Sequence, residues 1–174
     1  MSANVVPSGK ELYFDKNEII VTKTDPKGHI TYANDVFIRL AGYSEKELLG
    51  SPHSMIRHPN MPRAVFKLLW EHIQNKKEIF AYVVNMSKEG HHYWVFAHVT
   101  PSYDEAGNIT SFHSNRRVPN RDVLDNKIIP LYRSLKDEET KHSNRKEGLE
   151  KSYQKLVNLL QEEGKEYDEF ILSL

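Results

Sequence analysis

The stretch IFAYVVNMSKEGHHYWVFAHVTPSYDEAGNITSFHSNRR, Ile79–Arg117, decides the fold. It holds three runs rich in β-branched and aromatic residues: Ile79–Met86, His92–Tyr103 and Ile109–Arg117. The separators, SKEGH and DEAGN, each carry a glycine that can take the positive φ of a tight turn. Strands joined by connections this short pair antiparallel, so the stretch is expected to form a meander.

Upstream, IIVTKTD (Ile19–Asp25), PKG (Pro26–Gly28) and HITYA (His29–Ala33) give a second hairpin signature that can join the same sheet. Asn34 and Asp35 can then cap a short helix bearing Val36, Phe37 and Leu40. GYSEKELLG (Gly42–Gly50) contains a capping box, with Ser44 as N-cap and Glu47 three residues on. From Pro62 a longer helix is predicted, with Val65, Phe66, Leu69 and Ile73 on one face and Trp70 beside it. The order β-β-α-α-loop-α-β-β-β gives an α+β domain: a five-stranded antiparallel sheet with helices on one face.

After Pro119 the composition changes. RDVLDNKIIPLYRSLKDEE (Arg121–Glu139) and RKEGLEKSYQKLVNLLQEEG (Arg145–Gly164) are charged and helical. Leu149, Tyr153, Leu156, Val157 and Leu160 form an apolar stripe, and Gly148 weakens the start of that helix. A last short turn carries Tyr167, Phe170, Ile171 and Leu174. Two readings stand: these helices cover their own domain, or they pair with another chain, a homodimer included. The expected division is a leader over 1–18, a sensor domain over 19–118 and a C-terminal helical signalling or dimerisation segment over 119–174.

Composition narrows the function. Lys+Arg and Asp+Glu balance at 24 each, so no global field favours nucleic acid. With no cysteine there is no disulfide, thiolate metal site or cysteine nucleophile. No apolar run approaches the ~20 residues that span a bilayer, and the N-terminus has no secretory pattern. A cytoplasmic location is the expectation. Nine histidines invite a metal, but no HExxH motif, phosphate-binding glycine loop or nucleophile elbow occurs. Enzymatic catalysis is not expected, and no metal ligands are assigned.

The polar loop in GSPHSMIRHPNMPRAVFKLLW (Gly50–Trp70) then needs a reason. A helix facing a sheet can enclose an apolar space, and Trp70, Asn85 and Trp94 fall on the elements that would line it. Asn85 either pairs with backbone or solvent, or presents its amide to a ligand; Trp70 is either plain core or a stacking surface. A planar heterocycle with donor and acceptor edges, such as a flavin, would satisfy both. Arg57 offers a fork of donors suited to phosphate, His58 can donate or stack, and Asn60 can cap the helix from Pro62.

DPKGHITYANDVFIRLAGYSEKELLG resembles the opening of a PAS domain. More narrowly, GSPHSMIRHPNMPRAVFKLLW, VVNMSKEGHHYWV and PLYRSL (Pro130–Leu135) are similar to the FAD-binding PAS domains of bacterial aerotaxis and energy-taxis sensors, the Aer type. The resemblance runs from about Ile19 to Leu135. It implies FAD as cofactor, with Asn34, Arg57, His58, Trp70 and Asn85 matching the family's flavin-associated positions. It also puts His53 where a related flavin sensor has a glutamate. Asn60 departs from the family, which usually has Asp there. The resemblance further implies a soluble subunit of a split energy-taxis receptor. Such a subunit reports flavin redox state to a membrane-bound chemoreceptor or HAMP-containing partner, and lies peripheral to the inner membrane through that partner. Two alternatives share the fold: a haem gas sensor ligated by His53 or His72, and a cofactor-free interaction module.

Overall fold

The computed structural model describes residues 5–174. One hairpin and three helices build its first part. β1 (Ile20–Thr24) and β2 (Ile30–Ala33) pair antiparallel around the turn at Gly28, whose φ of 88° only glycine takes without strain. α1 (Asp35–Ala41) is capped by Asn34, whose Oδ1 accepts from Phe37 N–H. α2 (Glu45–Leu48) carries the expected capping box between Ser44 and Glu47. A single 3₁₀ turn (His53–Ile56) leads into α3 (Arg63–Gln74).

β3 (Ile79–Met86), β4 (His92–Tyr103) and β5 (Ile109–Arg117) form the meander. β5 also pairs with β1, so the five strands lie in the order β2-β1-β5-β4-β3, all antiparallel. This is the PAS arrangement that the sequence leads one to expect. Ile20, Ile79, Ala81, Tyr93 and Val95 from the sheet pack with Phe37, Leu48, Ile56 and Val65 in one core.

The C-terminal helices do not stand apart. α4 (Arg121–Val123), a π-helical turn (Leu124–Ile128) and α5 (Ile129–Thr140) run on without a break. Pro130 has no N–H to give the carbonyl four residues back, and the wider turn sits just before it. α6 (Arg145–Glu163) returns against α5 and α3, and α7 (Tyr167–Leu172) packs along β3.

β3 is an edge strand, and these helices cover its open side. Tyr132 Oη donates to the Tyr82 carbonyl at 2.5 Å, and Phe80 N–H donates to Asp168 Oδ1 at 3.0 Å. Backbone groups that would otherwise invite another strand are thereby satisfied. Of the two readings of the apolar stripe, the packing matches the first: Leu156 and Leu160 are buried within the chain's own core.

Candidate functional site

A cavity of about 270 Å³ lies between α3 and the inner face of the sheet. That is just below the usual range of small-molecule pockets, roughly 300–1,000 Å³, and gives room for a ring system, so the remainder of a dinucleotide would lie outside the cavity. α3 contributes Phe66, Leu69, Trp70 and Ile73; β3 contributes Val83 and Asn85; β5 contributes Phe112, Ser114 and Arg116. Strand alternation sets this list, because residues two apart share a face. The polar wall is the loop between α2 and α3. It is pinned beside β2 by Ile30 N–H to the Ser51 carbonyl (2.9 Å), Gly50 N–H to the Ile30 carbonyl (2.8 Å) and His53 N–H to the Gly28 carbonyl (2.9 Å). Further on, Arg57 and Asn85 form an isolated antiparallel bridge, which brings both side chains to the cavity.

The lining holds three cations, Lys27, Arg57 and Arg116, and no carboxylate. Arg116 is 3% exposed. Its Nε donates to Ser114 Oγ at 3.0 Å and its Nη2 to Thr22 Oγ1 and, at 2.9 Å, to His53 Nε2. Burial lowers its pKa to about 10, so it remains charged at neutral pH. His53 is pushed down to about 3, by burial first and then by Arg116 and Arg57, and is therefore neutral, with Nε2 accepting. Burial also lowers Arg57, whose guanidinium lies 3.7 Å over the centroid of the Phe66 ring.

Three buried donors around the cavity make no hydrogen bond among the described residues: Arg57 Nε, Asn85 Nδ2 and Arg116 Nη1. Leaving such a group unpaired costs about 1–3 kcal/mol, more for a charged one. Donors in excess, no carboxylate and an indole wall fit a planar ligand rich in acceptors and carrying negative charge. Trp70 meets Phe112 edge to face at 5.7 Å, and an added Cβ on Gly28 would come within 3.3 Å of its indole. The indole is thus held in place against the turn.

Of the residues singled out from the sequence, His53, Arg57, Trp70 and Asn85 come together here. The other four stand elsewhere. Asn34 is fully used in the scaffold: Oδ1 accepts from Val21 N–H and Phe37 N–H, and Nδ2 donates to the Ile19 carbonyl at 2.8 Å. His58 is turned away, its Nδ1 accepting from Asn60 N–H and its ring edge against His92 at 5.7 Å; its pKa falls to about 4 through burial and then His92. Asn60 is exposed and does not cap α3, where Pro62 holds the N-cap position with no side-chain bond.

Trp94 pairs with Val84, so it lies on the face opposite Asn85 and packs 6.0 Å from Tyr132. His72, the second haem candidate, donates Nδ1–H to the Leu68 carbonyl at 2.9 Å and lines a different groove. Arg116 and Ser114 were missed. The alternation Phe112, Ser114, Arg116 would have placed them beside the cavity once one of the three was assigned to it. Among the described residues no group of three His, Asp or Glu could hold a metal ion, and no helix is long and apolar enough to cross a membrane.

A family model described as the PAS fold matches residues 30–116. The aerotaxis receptor of Escherichia coli (strain K12) is 38% identical over 117 residues, 67% of this chain and 22% of that protein. Phototropin-1A of Oryza sativa subsp. japonica is 29% identical over 98 residues, 56% of this chain and 11% of that one. The chain therefore corresponds to only a part of each. Among solved structures, the dark state of the blue-light photoreceptor Aureochrome1 LOV matches with a TM-score of 0.56 and 26% identity, over 63% of this chain and 81% of that one. The match to half the chain, the five-stranded sheet and the shared architecture lead to one conclusion: the chain belongs to the PAS fold family of sensor domains, with an aerotaxis receptor and LOV photoreceptors among its relatives.

Proposed function

We propose that this protein binds a flavin, FAD by its likeness to the aerotaxis sensors, in the cavity beneath α3, and reports the redox state of that flavin through its C-terminal helices to a chemoreceptor partner. The observation that carries the reading is the set of buried donors without partners among the described residues, Arg57 Nε, Asn85 Nδ2 and Arg116 Nη1, around a cavity without carboxylates that Trp70 also lines. The 38% identity to an aerotaxis receptor supports it. In this reading His53, Arg57, Trp70, Asn85 and Arg116 hold the ligand. Residues 19–118 are the sensing unit and 119–174 the output, with a membrane-bound or HAMP-containing receptor as partner and a cytoplasmic location.

When bound, a flavin supplies a redox-active ring nitrogen that accepts a hydrogen bond when oxidised and donates one when reduced. Asn85 can serve either state, because its amide has a donor end and an acceptor end and can rotate between them. Arg116 cannot: it only donates, and its bonds to Ser114, Thr22 and His53 hold it still. Trp70 supplies the stacking surface and keeps water from that face of the ring.

The haem alternative fits the site less well. It needs an imidazole nitrogen free for iron, whereas His53 Nε2 accepts from Arg116 beside a fixed positive charge. The experiment is an absorbance spectrum of the purified protein followed by chromatography of what heat releases. Flavin bands and released FAD are expected. A Soret band overturns the reading, as does a colourless protein that takes up no added FAD.

A further inference from the structure

Beyond the lining residues, the position of the cavity wall traces to a side chain on the C-terminal helices. Glu139 lies in α5, past the end of the sheet, yet its side chain is 1% exposed. It is the single acidic residue among the buried polar groups described. Its Oε1 accepts from the backbone N–H of Ala64 at 3.1 Å, and its Oε2 from Arg63 Nε at 3.3 Å, with Lys136 Nζ 3.4 Å from the same oxygen.

Ala64 is in the first turn of α3, where backbone N–H groups have no partner in the helix. Pro62, at the N-cap, has no side chain to offer. The carboxylate therefore does the capping, and it meets the positive end of the helix dipole. From behind, Glu139 is fixed by α6. A Cβ on Gly148 would lie 2.3 Å from the Glu139 carbonyl oxygen, so only glycine lets the two helices approach this closely. Two further contacts, Lys67 to Glu150 at 2.9 Å and Tyr153 to Glu71, tie α6 to the same helix. That helix carries Phe66, Leu69, Trp70 and Ile73 into the cavity.

We propose that Glu139 is a positioning residue of the ligand site: supplied by the C-terminal segment, it sets the N-terminus of α3 and through it the Phe66–Trp70 wall. Ligand affinity and docking of the C-terminal helices are then one linked equilibrium, each tightening the other by the same factor. The connection between site and output runs through α3. The identity of the ligand rests on the flavin reading; the positioning of α3 does not.

The test uses the full chain with Trp94→Phe, so that Trp70 is the one remaining tryptophan. Glu139→Ala and Glu139→Gln are compared with that background in three measurements. These are acrylamide quenching of Trp70 without flavin, hydrogen exchange across α3, α5 and α6 with and without FAD, and FAD affinity by flavin fluorescence anisotropy. Glu139→Ala is expected to expose Trp70 to the quencher, to speed exchange at Ala64, and to weaken FAD roughly tenfold, the effect of losing one charge-assisted hydrogen bond. It is also expected to abolish the protection that FAD gives to α5 and α6.

Glu139→Gln keeps an acceptor for Ala64 but not the charge facing Arg63 and Lys136, and is expected to shift the same readouts by about threefold. A folded Glu139→Ala variant with unchanged Trp70 quenching and FAD affinity overturns the proposal. If that variant does not fold, a Glu139→Gln variant indistinguishable from the background overturns it. If the background protein takes up no FAD, the flavin reading falls, while Trp70 quenching and exchange at Ala64 still decide the role of Glu139.

Discussion

Arg116 directs Nη2 at Nε2 of His53 across 2.9 Å, and the two groups cannot both bring a proton to that contact. Arg116 keeps its charge, since even the lowered pKa is about 10. His53 is therefore the neutral partner and serves as an acceptor for a buried cation that no carboxylate in the cavity wall balances. A neutral imidazole is a poor substitute for a carboxylate. It leaves the positive charge at the cavity uncancelled, which suits an anionic ligand.

The pair makes folding pH-dependent. An unfolded histidine takes up its proton near 6.5, whereas native His53 does so only at about 3. Between those values the unfolded chain binds more protons, so the His53 contribution is complete above about pH 6.5 and is lost on acidification. Its limiting slope is about 1.4 kcal/mol per pH unit. His58, lowered to about 4, acts in the same direction over a narrower window. Urea midpoints measured from about pH 7 down to pH 5 should fall, and in His53→Gln they should fall less, by the share of one proton. An identical slope in the variant removes His53 from the account.

Asn85→Leu should separate stability from binding. The side chain is 3% exposed and its Nδ2 has no partner among the described residues. Removing an unsatisfied buried amide of similar volume should stabilise the ligand-free chain by about 1 kcal/mol, out of a cost of about 1–3. The same change should weaken FAD at least about tenfold. The checks are a thermal midpoint without ligand and a flavin titration. A drop in both would mean that Asn85 is satisfied in the free protein.

Sequence patterning carried the sheet and half of the site. The meander was legible to the residue because Gly90 and Gly107, at φ 83° and 80°, mark its turns. Arg57, Trp70 and Asn85 were legible because polar and aromatic side chains clustered on elements that had to face one another, whereas His53 was placed there only by the family resemblance. What escaped depended on register or on distance along the chain. Trp94 and Asn85 share neighbouring strands, and only the pairing Val84 with Trp94 puts them on opposite faces. The cap of α3 comes from a residue 75 positions away, so a local search found Asn60 instead of Glu139. One available signal went unused: the unbroken apolar run Tyr82, Val83, Val84 implies a strand buried on both faces, and hence a cover for the second.

Tyr132→Phe tests the cover over the open edge of the same strand. Tyr132 is buried, and its phenol satisfies the Tyr82 carbonyl at the open edge of β3. The phenyl ring fills the same space but leaves the carbonyl without a donor, at a cost of about 1–3 kcal/mol. The loss should appear both as a lower urea midpoint and as faster proteolysis within 119–174. A lowered midpoint without faster cleavage there would place the damage in the core and not at the edge.

Gly28 and Trp70 make the last prediction, because two costs at one position can be told apart. Gly28 has φ 88°, and an added Cβ would stand 3.3 Å from indole atoms Cη2 and Cζ2. Gly28→Ala therefore brings backbone strain of about 1 kcal/mol and a crowding cost of about 1–3 kcal/mol if the indole cannot give. Trp70→Phe takes away those two indole carbons and leaves the backbone alone. In a double-mutant cycle the crowding part should vanish and the strain part should persist, so Gly28→Ala should cost less in the Trp70→Phe background than beside the native indole. Thermal midpoints of the four proteins measure this. Additive losses would mean that the turn and the indole do not press on one another, and that the Trp70 wall of the cavity is held by α3 and Phe112 alone.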